Sequence, residues 1–595
     1  MKTSYCECPT CPTRRKTIEV NVGGVPMGGH NPIRVQTMTT TNTLDTTASV
    51  EQCIRAANAG AEYIRLTTQG VREASNLANI AHELRSKGYN IPLIADVHFN
   101  PAAALEAAKH AQKVRINPGN FVAHKMPQNG TSYTAEEMAN ERHRIAEKLL
   151  PLIEICQQHG TAIRLGVNHG SLSERMMLLH GDTPQGMVES AMEYLRIFQQ
   201  HNFHSVVVSM KSSSTRTMVQ AVRLLATTMA NERMAYPLHL GVTEAGDGED
   251  GRIKSAVGIG ALLADGLGDT IRVSLTEPPE AEIPVAQELA ALYSQRQALV
   301  FPKIEQLPYN PYSYSRRFTY QWNGLVGGNC PPVVVELLNN EQPSEQADVY
   351  LSADERNDDT STFRLKTLDE AMGGSEGVFV LIHHSDLLYP ETVEWLQSAM
   401  DRVLVLSSKS SNSYIEQRAA FALLHEHDIQ LPVIIHRHYD KLSLPTMQLR
   451  AAAEIGPLLL NGLGDGVMLT APNFSNHERC ATALAIMQAA QVRLSKPEYI
   501  ACPGCGRTLY DLPSTLQRVR AATSHLKGLK IGVMGCIVNG PGEMADANYG
   551  YVGAARGRIS LYRGKTLVKS NLPEEVAVDE LVALIKENGD WVEPK

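Results

Sequence analysis

Over roughly its first half, the chain repeats one alternation of apolar and polar positions. Short β-branched runs end in polar residues and give way to Ala-rich stretches with apolar residues at helical spacing, such as VEQCIRAANAGA and GALLADGLG. The runs are IRVQTMT (33–39), YIRLTTQ (63–69), PLIADVHF (92–99), KVRINPGN (113–120), AIRLGVNHGS (162–171), SVVVSMKSS (205–213), PLHLGVTEAG (237–246) and TIRVSLTEP (270–278). Eight such strand–helix units predict an α/β fold with an N-terminal (β/α)8 barrel of the TIM type. A doubly wound open sheet is the alternative. The Gly-rich GGVPMGG lacks the spacing of a phosphate loop and reads as a hairpin.

The same pattern places polar side chains at the C-terminal ends of the strands, where such a barrel keeps its chemistry. Arg65, Asp96, His98, Arg115, Asn117, Arg164, Asn168, Lys211, Glu244, Arg272 and Ser274 all fall there. Four arginines and a lysine at one mouth would repel one another without an anion. The planar guanidinium fork suits phosphate oxygens, so the mouth reads as a site for a phosphorylated or diphosphorylated small molecule. Ordinary salt bridges with Asp96, Glu244 or Asp269 are the alternative for any single arginine.

Beyond the eighth run, the aromatic and Pro-rich LPYNPYSYSRRFTYQW leads into further strand patterns: PVVVELL, GVFVLIHH, RVLVLSS, LPVIIHRHY and DGVMLTAP. Three segments echo the barrel at nearly constant offset and in the same order. VLSSKSS mirrors VVSMKSS, LPVIIHRH mirrors YPLHLGVT, and NGLGDGVMLTAP mirrors DGLGDTIRVSLTEP. The insert therefore reads as a degenerate partial barrel repeat that duplicates the second half, with chance similarity among strand–turn units as the alternative. Met468 and Thr470 stand where Arg272 and Ser274 would be, so no diphosphate site is expected there. The expected domains are 1–295 (barrel), 296–495 (α/β insert) and 496–595 (a small α+β domain).

Length, at 595 residues, requires more than one core. A net charge of −8 with interspersed signs gives no nucleic-acid footprint, and no apolar run is long enough to span a bilayer. The opening MKTSYCECPTCPTRRKT has no apolar core of a signal peptide, so a cytoplasmic, bacterial location is expected. Ten cysteines in such a chain point to metal or redox chemistry rather than a disulfide framework. Cys502 and Cys505 form a C-x-x-C turn, and Cys536 and Glu543 stand in GCIVNGPGE. Three thiolates and a carboxylate fit a [4Fe–4S] cluster with one oxygen ligand better than they fit zinc. Cys6, Cys8 and Cys11, spaced C-x-C-x-x-C, read as incidental cysteines of a frayed terminus, with a metal site as the alternative.

Taken together, VQTMTTTNTLDT, ADVHF, RINPGN, RLGVNHGSL, HLGVTEAG, GDTIRVSL, CPGCGR and GCIVNGPGE resemble the 4-hydroxy-3-methylbut-2-enyl diphosphate synthase family of the non-mevalonate isoprenoid pathway. The long insert resembles the family's three-domain form. The resemblance implies reductive ring opening of 2-C-methyl-D-erythritol 2,4-cyclodiphosphate to the linear hydroxymethylbutenyl diphosphate. It implies a [4Fe–4S] cluster on Cys502, Cys505, Cys536 and an exchangeable Glu543. It further implies diphosphate contacts from Arg65, Arg115, Arg164, Lys211, Arg272 and Ser274, with Asn117 and Asn168 nearby, and proton handling by Glu244 and Asp96. Reduced flavodoxin or ferredoxin would be the electron donor, and a homodimer is left open.

Overall fold

A computed structural model describes residues 5–11, 13–122, 132–294, 301, 304, 306–338, 342–353, 362–374, 378–538 and 540–594. The boundary expected at 295–296 lies outside the described residues. Strands β1 (Val20–Val22) and β2 (Val25–Met27) pair antiparallel as the expected hairpin. Eight strands follow: β3 (Arg34–Met38), β4 (Tyr63–Thr68), β5 (Leu93–Val97), β6 (Lys113–Ile116), β7 (Ala162–Asn168), β8 (Val206–Lys211), β9 (His239–Leu240) and β10 (Thr270–Ile271). They lie side by side in the order β8-β7-β6-β5-β4-β3-β10-β9, and a parallel bridge from Val208 to Leu238 closes the ring. Every described strand of this ring is buried on both faces, because helices cover the outside and side chains fill the inside. At the strands' N-terminal end, Val20, Val22 and Met27 of the hairpin pack onto Tyr63, Ile94, Ala162 and Val207 and plug the barrel. Chemistry is thereby confined to the opposite mouth.

The insert is more than the second half of a barrel. After a second hairpin, β11 (Gln321–Trp322) with β12 (Val326–Gly327), come β13 (Val333–Leu337), β14 (Val349–Ser352), β15 (Thr362–Thr367), β16 (Phe379–Ile382), β17 (Val403–Ser407), β18 (Val433–His438) and β19 (Gly466–Thr470). All pair in parallel, and β19 returns to β13, so the ring closes with one strand fewer than the first. The correspondence reaches back to the plugs. Arg14 and Thr17 bond to Asp269 in the first barrel, and Arg316 and Thr319 bond to Asp465 in the second. The expectation of a half repeat fails because the interior of the copy changed character: Val333, Val335, Val349, Leu351, Phe379, Val405 and Met468 fill it with apolar side chains. Strands β14 and β15 carried no echo of the first barrel for sequence reading to find.

The two barrels pack through helices Gly248–Ala264 and Leu444–Leu460. A Cβ on Gly260 would lie 3.1 Å from the Ala453 Cα, and one on Gly456 would lie 2.6 Å from Val257, so the glycines set the closeness of the helices. Charge is buried at this seam. Asp265 accepts from Arg418 at 2.6 Å and from Arg223 at 2.9 Å, and Arg223 also donates to Asn461 at 2.8 Å. The N-terminal segment is part of the seam rather than frayed: Tyr5 and Thr10 are buried, the Tyr5 and Tyr309 hydroxyls hydrogen-bond, and Arg418 donates to the Pro9 carbonyl. Cys8 and Cys11 are joined as a disulfide.

In the last unit, β20 (Glu498–Ala501), β21 (Lys530–Met534) and β22 (Tyr549–Ala555) run parallel. β23 (Arg558–Arg563) and β24 (Thr566–Pro573) then extend the sheet antiparallel. Helices Leu512–Thr523 and Ala577–Glu587 bury its apolar face. Among the described residues no helix is long and apolar enough to cross a membrane.

Asp265 is the shared counter-ion of two buried arginines. Asp265→Ala leaves both unpaired and is expected to lower unfolding free energy by about 3–5 kcal/mol. Urea denaturation measures this; a loss below about 1 kcal/mol contradicts the seam's electrostatic description.

Candidate active site

The C-terminal domain sits on the mouth of the first barrel of the same chain. Ala245 bridges to Ala501, the Thr276 hydroxyl donates to the Cys502 carbonyl at 3.1 Å, and Lys254 pairs with Glu498 at 2.7 Å. Tightest is the approach of two glycines: a Cβ on Gly170 would stand 1.9 Å from the Gly542 oxygen. Gly170 also has φ +76°, so two constraints demand glycine there. Beside it the Asn168 amide donates to Glu543 at 2.7 Å, and Ser213 donates to the Glu543 carbonyl at 3.3 Å.

Between the two units lies a cavity of about 90 Å³. Arg65, Asp96, His98, Arg115, Asn168, Lys211, Glu244, Arg272 and Ser274 line it from the barrel, and Cys502, Cys505, Cys536 and Glu543 from the other side. Two expected contacts lie elsewhere. Asn117 caps the short helix Pro118–Phe121, accepting from the Gly119 amide, and donates to Ser171. Arg164 lies within the barrel beneath the cavity, donating to Ser209 at 3.3 Å.

The cations are oriented but incompletely neutralised. Arg115 donates to Asp96 at 3.2 Å, to the Gly166 carbonyl at 2.9 Å and to Asn168 at 3.1 Å. Arg272 is held by Glu282 through two bonds of 3.1 and 3.0 Å, and Thr37 also bonds to that carboxylate. Arg65 directs two donors, at 3.1 and 2.9 Å, to the Met38 thioether, a weak and uncharged acceptor. Burial opposes the Arg65, Arg115 and Lys211 charges. It pulls the Lys211 ammonium well below its ordinary range, and the neighbouring Arg65, Arg164 and Arg272 charges add to the effect. Burial, helped by the Arg115 charge, drops His98 to about 3, which keeps the ring neutral. At Asp96 burial works upward, but Arg65 and Arg115 overcome it and hold the carboxylate well below its ordinary value.

Glu244 is the opposite case. Burial pushes its carboxyl well above the usual range, and the charge of Glu543 pushes in the same direction. Its Oε2 is buried without a hydrogen-bond partner. Its backbone is left-handed at φ +50°, unusual for a glutamate and suited to aiming a side chain.

On the facing wall Cys502, Cys505 and Cys536 are free thiols, half-buried and open to the cavity. The Gly535 amide points at the Cys502 sulfur at 3.4 Å. Burial raises the Cys536 thiol to about 11. Among the described residues no three Cys, His, Asp or Glu groups form a single-ion ligand set. The three sulfurs and the Glu543 carboxylate instead border one space, and this donor set fits a multi-iron group bound by thiolates.

Sequence reading missed Met38, Glu282 and Arg507. Arg507 stands inside the motif CPGCGR, but nothing local shows that it crosses to the barrel. Glu282 lies in a helix past the last strand, where no spacing links it to Arg272.

Fold and site define a barrel enzyme whose cationic mouth is capped by a cysteine-bearing domain. The GcpE TIM-barrel domain matches residues 17–287, and the GcpE protein C-terminal domain matches residues 498–587. A protein of Phocaeicola vulgatus named 4-hydroxy-3-methylbut-2-en-1-yl diphosphate synthase (flavodoxin) is 49% identical over 98% of this chain and 99% of its own. A protein of the same name from Akkermansia muciniphila is 45% identical over 100% of both chains. The rice protein named 4-hydroxy-3-methylbut-2-en-1-yl diphosphate synthase (ferredoxin), chloroplastic, is 39% identical over 99% of this chain and 89% of its own. The chain belongs to the GcpE family of 4-hydroxy-3-methylbut-2-en-1-yl diphosphate synthases.

Gly170→Ala is expected to hold the C-terminal domain off the mouth while the barrel stays folded, and to lower turnover roughly 100-fold. X-ray scattering from the full chain should show a larger radius of gyration; an unchanged radius with full turnover contradicts this packing.

Proposed function

We propose that the chain reduces 2-C-methyl-D-erythritol 2,4-cyclodiphosphate to (E)-4-hydroxy-3-methylbut-2-enyl diphosphate, opening the ring with two electrons and loss of water. One observation carries this reading: a cationic barrel mouth and three free thiols with a carboxylate face each other across a single cavity. A [4Fe–4S] cluster held by Cys502, Cys505, Cys536 and Glu543 would supply the one-electron reductions that ordinary side chains cannot. Reduced flavodoxin or ferredoxin, the donors in the relatives' names, is the proposed electron source.

The chain's own residues bind, orient and protonate. Arg65, Arg115, Lys211 and Arg272 take the diphosphate, with Ser274 and Asn168 as neutral donors. Arg164 adds positive charge from the layer below rather than a contact. Glu282 and Met38 hold the guanidiniums in place, the one with charge and the other without. We assign proton delivery to Glu244, because burial and the Glu543 charge raise its carboxyl well above the usual range and the residue lines the cavity. Asp96 is better suited to fixing Arg115 and offsetting Arg65, because those charges keep it ionised. Capping by the C-terminal domain limits water in the cavity and brings the two halves of the site together.

Protein purified without air is expected to be brown and to bleach on exposure. A colourless protein with stoichiometric zinc contradicts the cofactor. Glu244→Gln should keep the colour and the affinity for the cyclic diphosphate but lose about 100-fold or more in kcat; full turnover excludes the proton role. Glu543→Cys should retain iron and sulfide in chemical analysis yet suppress turnover, and an active variant counts against exchange at that position.

A further inference from the structure

On the reading above, electrons must reach the cysteine wall from outside the chain, and the first barrel covers one side of that wall. The remaining approach lies over the C-terminal domain itself. Strands β20, β21 and β22 run parallel, so their C-terminal ends share one end of the sheet. Cys502 follows β20 and Cys536 follows β21 at that end. Next to them comes the turn between β22 and β23, with Arg556 and Gly557 at its tip and Arg558 opposite Ala555. The two features are close. A Cβ on Gly553 would stand 2.5 Å from the oxygen of Gly535, the residue before Cys536. From Gly553 to Arg556 the strand advances about 10 Å.

Charge and surface set this tip apart. In a chain of net charge −8, the stretch 553–570 holds three arginines, two lysines and no acid. Lys565 pairs with Asp182, and Lys569 with Glu580. Arg556 and Arg558 are both exposed, and among the described residues neither forms an ion pair. Arg558 donates to the Asn571 carbonyl at 3.4 Å. Glu574 meets the tip through its backbone, its amide donating to the Gly557 carbonyl at 3.2 Å. Ile537, directly after Cys536, is 53% exposed. Exposed arginines alone are ordinary. Here they share one end of the sheet with the cysteines and an exposed apolar side chain. Electron-transfer interfaces are small, and they need apolar contact for close approach and charge for steering.

We propose that the β22–β23 tip, together with Ile537, is the docking surface for the electron donor, an acidic protein that carries single electrons. Its carboxylates face Arg556 and Arg558, and its redox group faces Ile537. The proposal rests on the cluster reading above and adds to it a place of entry. Each encounter passes one electron, oxidising the carrier by one and reducing the cysteine-bound cluster by one, and two encounters serve one turnover. A chain of net charge −8 repels an acidic partner at long range, so a local cationic spot decides where that partner arrives.

The test uses the full, anaerobically purified chain and flavodoxin, the donor in the relatives' names. Calorimetry with oxidised flavodoxin gives affinity without any electron moving. The double variant Arg556→Glu, Arg558→Glu should bind about 10-fold or more weakly at low salt and lose the salt dependence that wild type shows. Its kcat/KM for reduced flavodoxin should fall by a similar factor. Turnover driven by reduced methyl viologen, a small molecule that needs no docking surface, should not fall. The double variant Arg556→Lys, Arg558→Lys keeps the charge and should bind like wild type. With a carbodiimide it should couple to flavodoxin carboxylates at those two positions. If the charge reversal fails to fold, Arg556→Gln with Arg558→Gln reads the same quantities. Unchanged affinity and salt dependence in the reversed variant, or coupling at other positions only, overturns the proposal. An equal loss with both reductants also overturns it, because the tip then acts on the cysteine wall and not on the donor. A chain without bound iron and sulfide sinks the functional reading. A chain that viologen drives while flavodoxin binds elsewhere sinks the docking surface alone.

Discussion

Positive charge held out of water, with too little acid beside it, is the constraint around which this molecule is arranged. Arg65, Arg115, Arg164, Lys211 and Arg272 are all buried in or under one barrel mouth. Asp96 and Glu282 offset part of that charge, and Glu244 is the weaker counter-ion because burial and the Glu543 charge raise its carboxyl well above the usual range. Such a surplus costs stability, and only a strong surrounding fold tolerates it. The plugged barrel, with every strand buried on both faces, is that fold. The surplus also selects the ligand: a neutral molecule leaves the charges unanswered, whereas a diphosphate answers several at once.

The second barrel shows the same architecture without the constraint. Its interior is apolar, and Met468 occupies the place of Arg272. What it retains is its outside. Helix Leu444–Leu460 locks it to the first barrel, and the chain leaving it is tied down immediately: Thr215 donates to the Ala489 carbonyl at 2.6 Å and Arg216 to the Gln491 carbonyl at 2.8 Å. Both donors begin the helix that follows Lys211 and Ser213, so the C-terminal domain is tethered beside the mouth it covers.

Much of this was legible in sequence because period and punctuation report local structure. The eight strands of the first barrel, its hairpin and the polar residues at the strand ends follow from alternation and turn chemistry alone. The Cys502–Cys505 turn was equally plain. Three things were hidden for a shared reason: they depend on packing between distant segments. The full extent of the second barrel was obscured because β14 and β15 kept the fold but lost resemblance. Asn117 and Arg164 sit on the right strands, yet one caps a helix and the other points into the layer below. Met38 and Glu282 act on residues of neighbouring elements and Arg507 on one far away in sequence, and no local pattern announces such partners. The N-terminal cysteines show the converse: a segment that looked incidental is buried because Tyr5 and Thr10 fit the seam.

The central claim is that barrel cations and cluster-domain cysteines act on one molecule in one chamber. A crystal structure of the cluster-loaded chain with the cyclic diphosphate, grown without oxygen, tests it most directly. The account predicts the diphosphate among Arg65, Arg115, Lys211 and Arg272, with the carbon ring facing Cys502, Cys505, Cys536 and Glu543. A diphosphate bound in the second barrel, or in the first with its ring turned away from the cysteine wall, would contradict it.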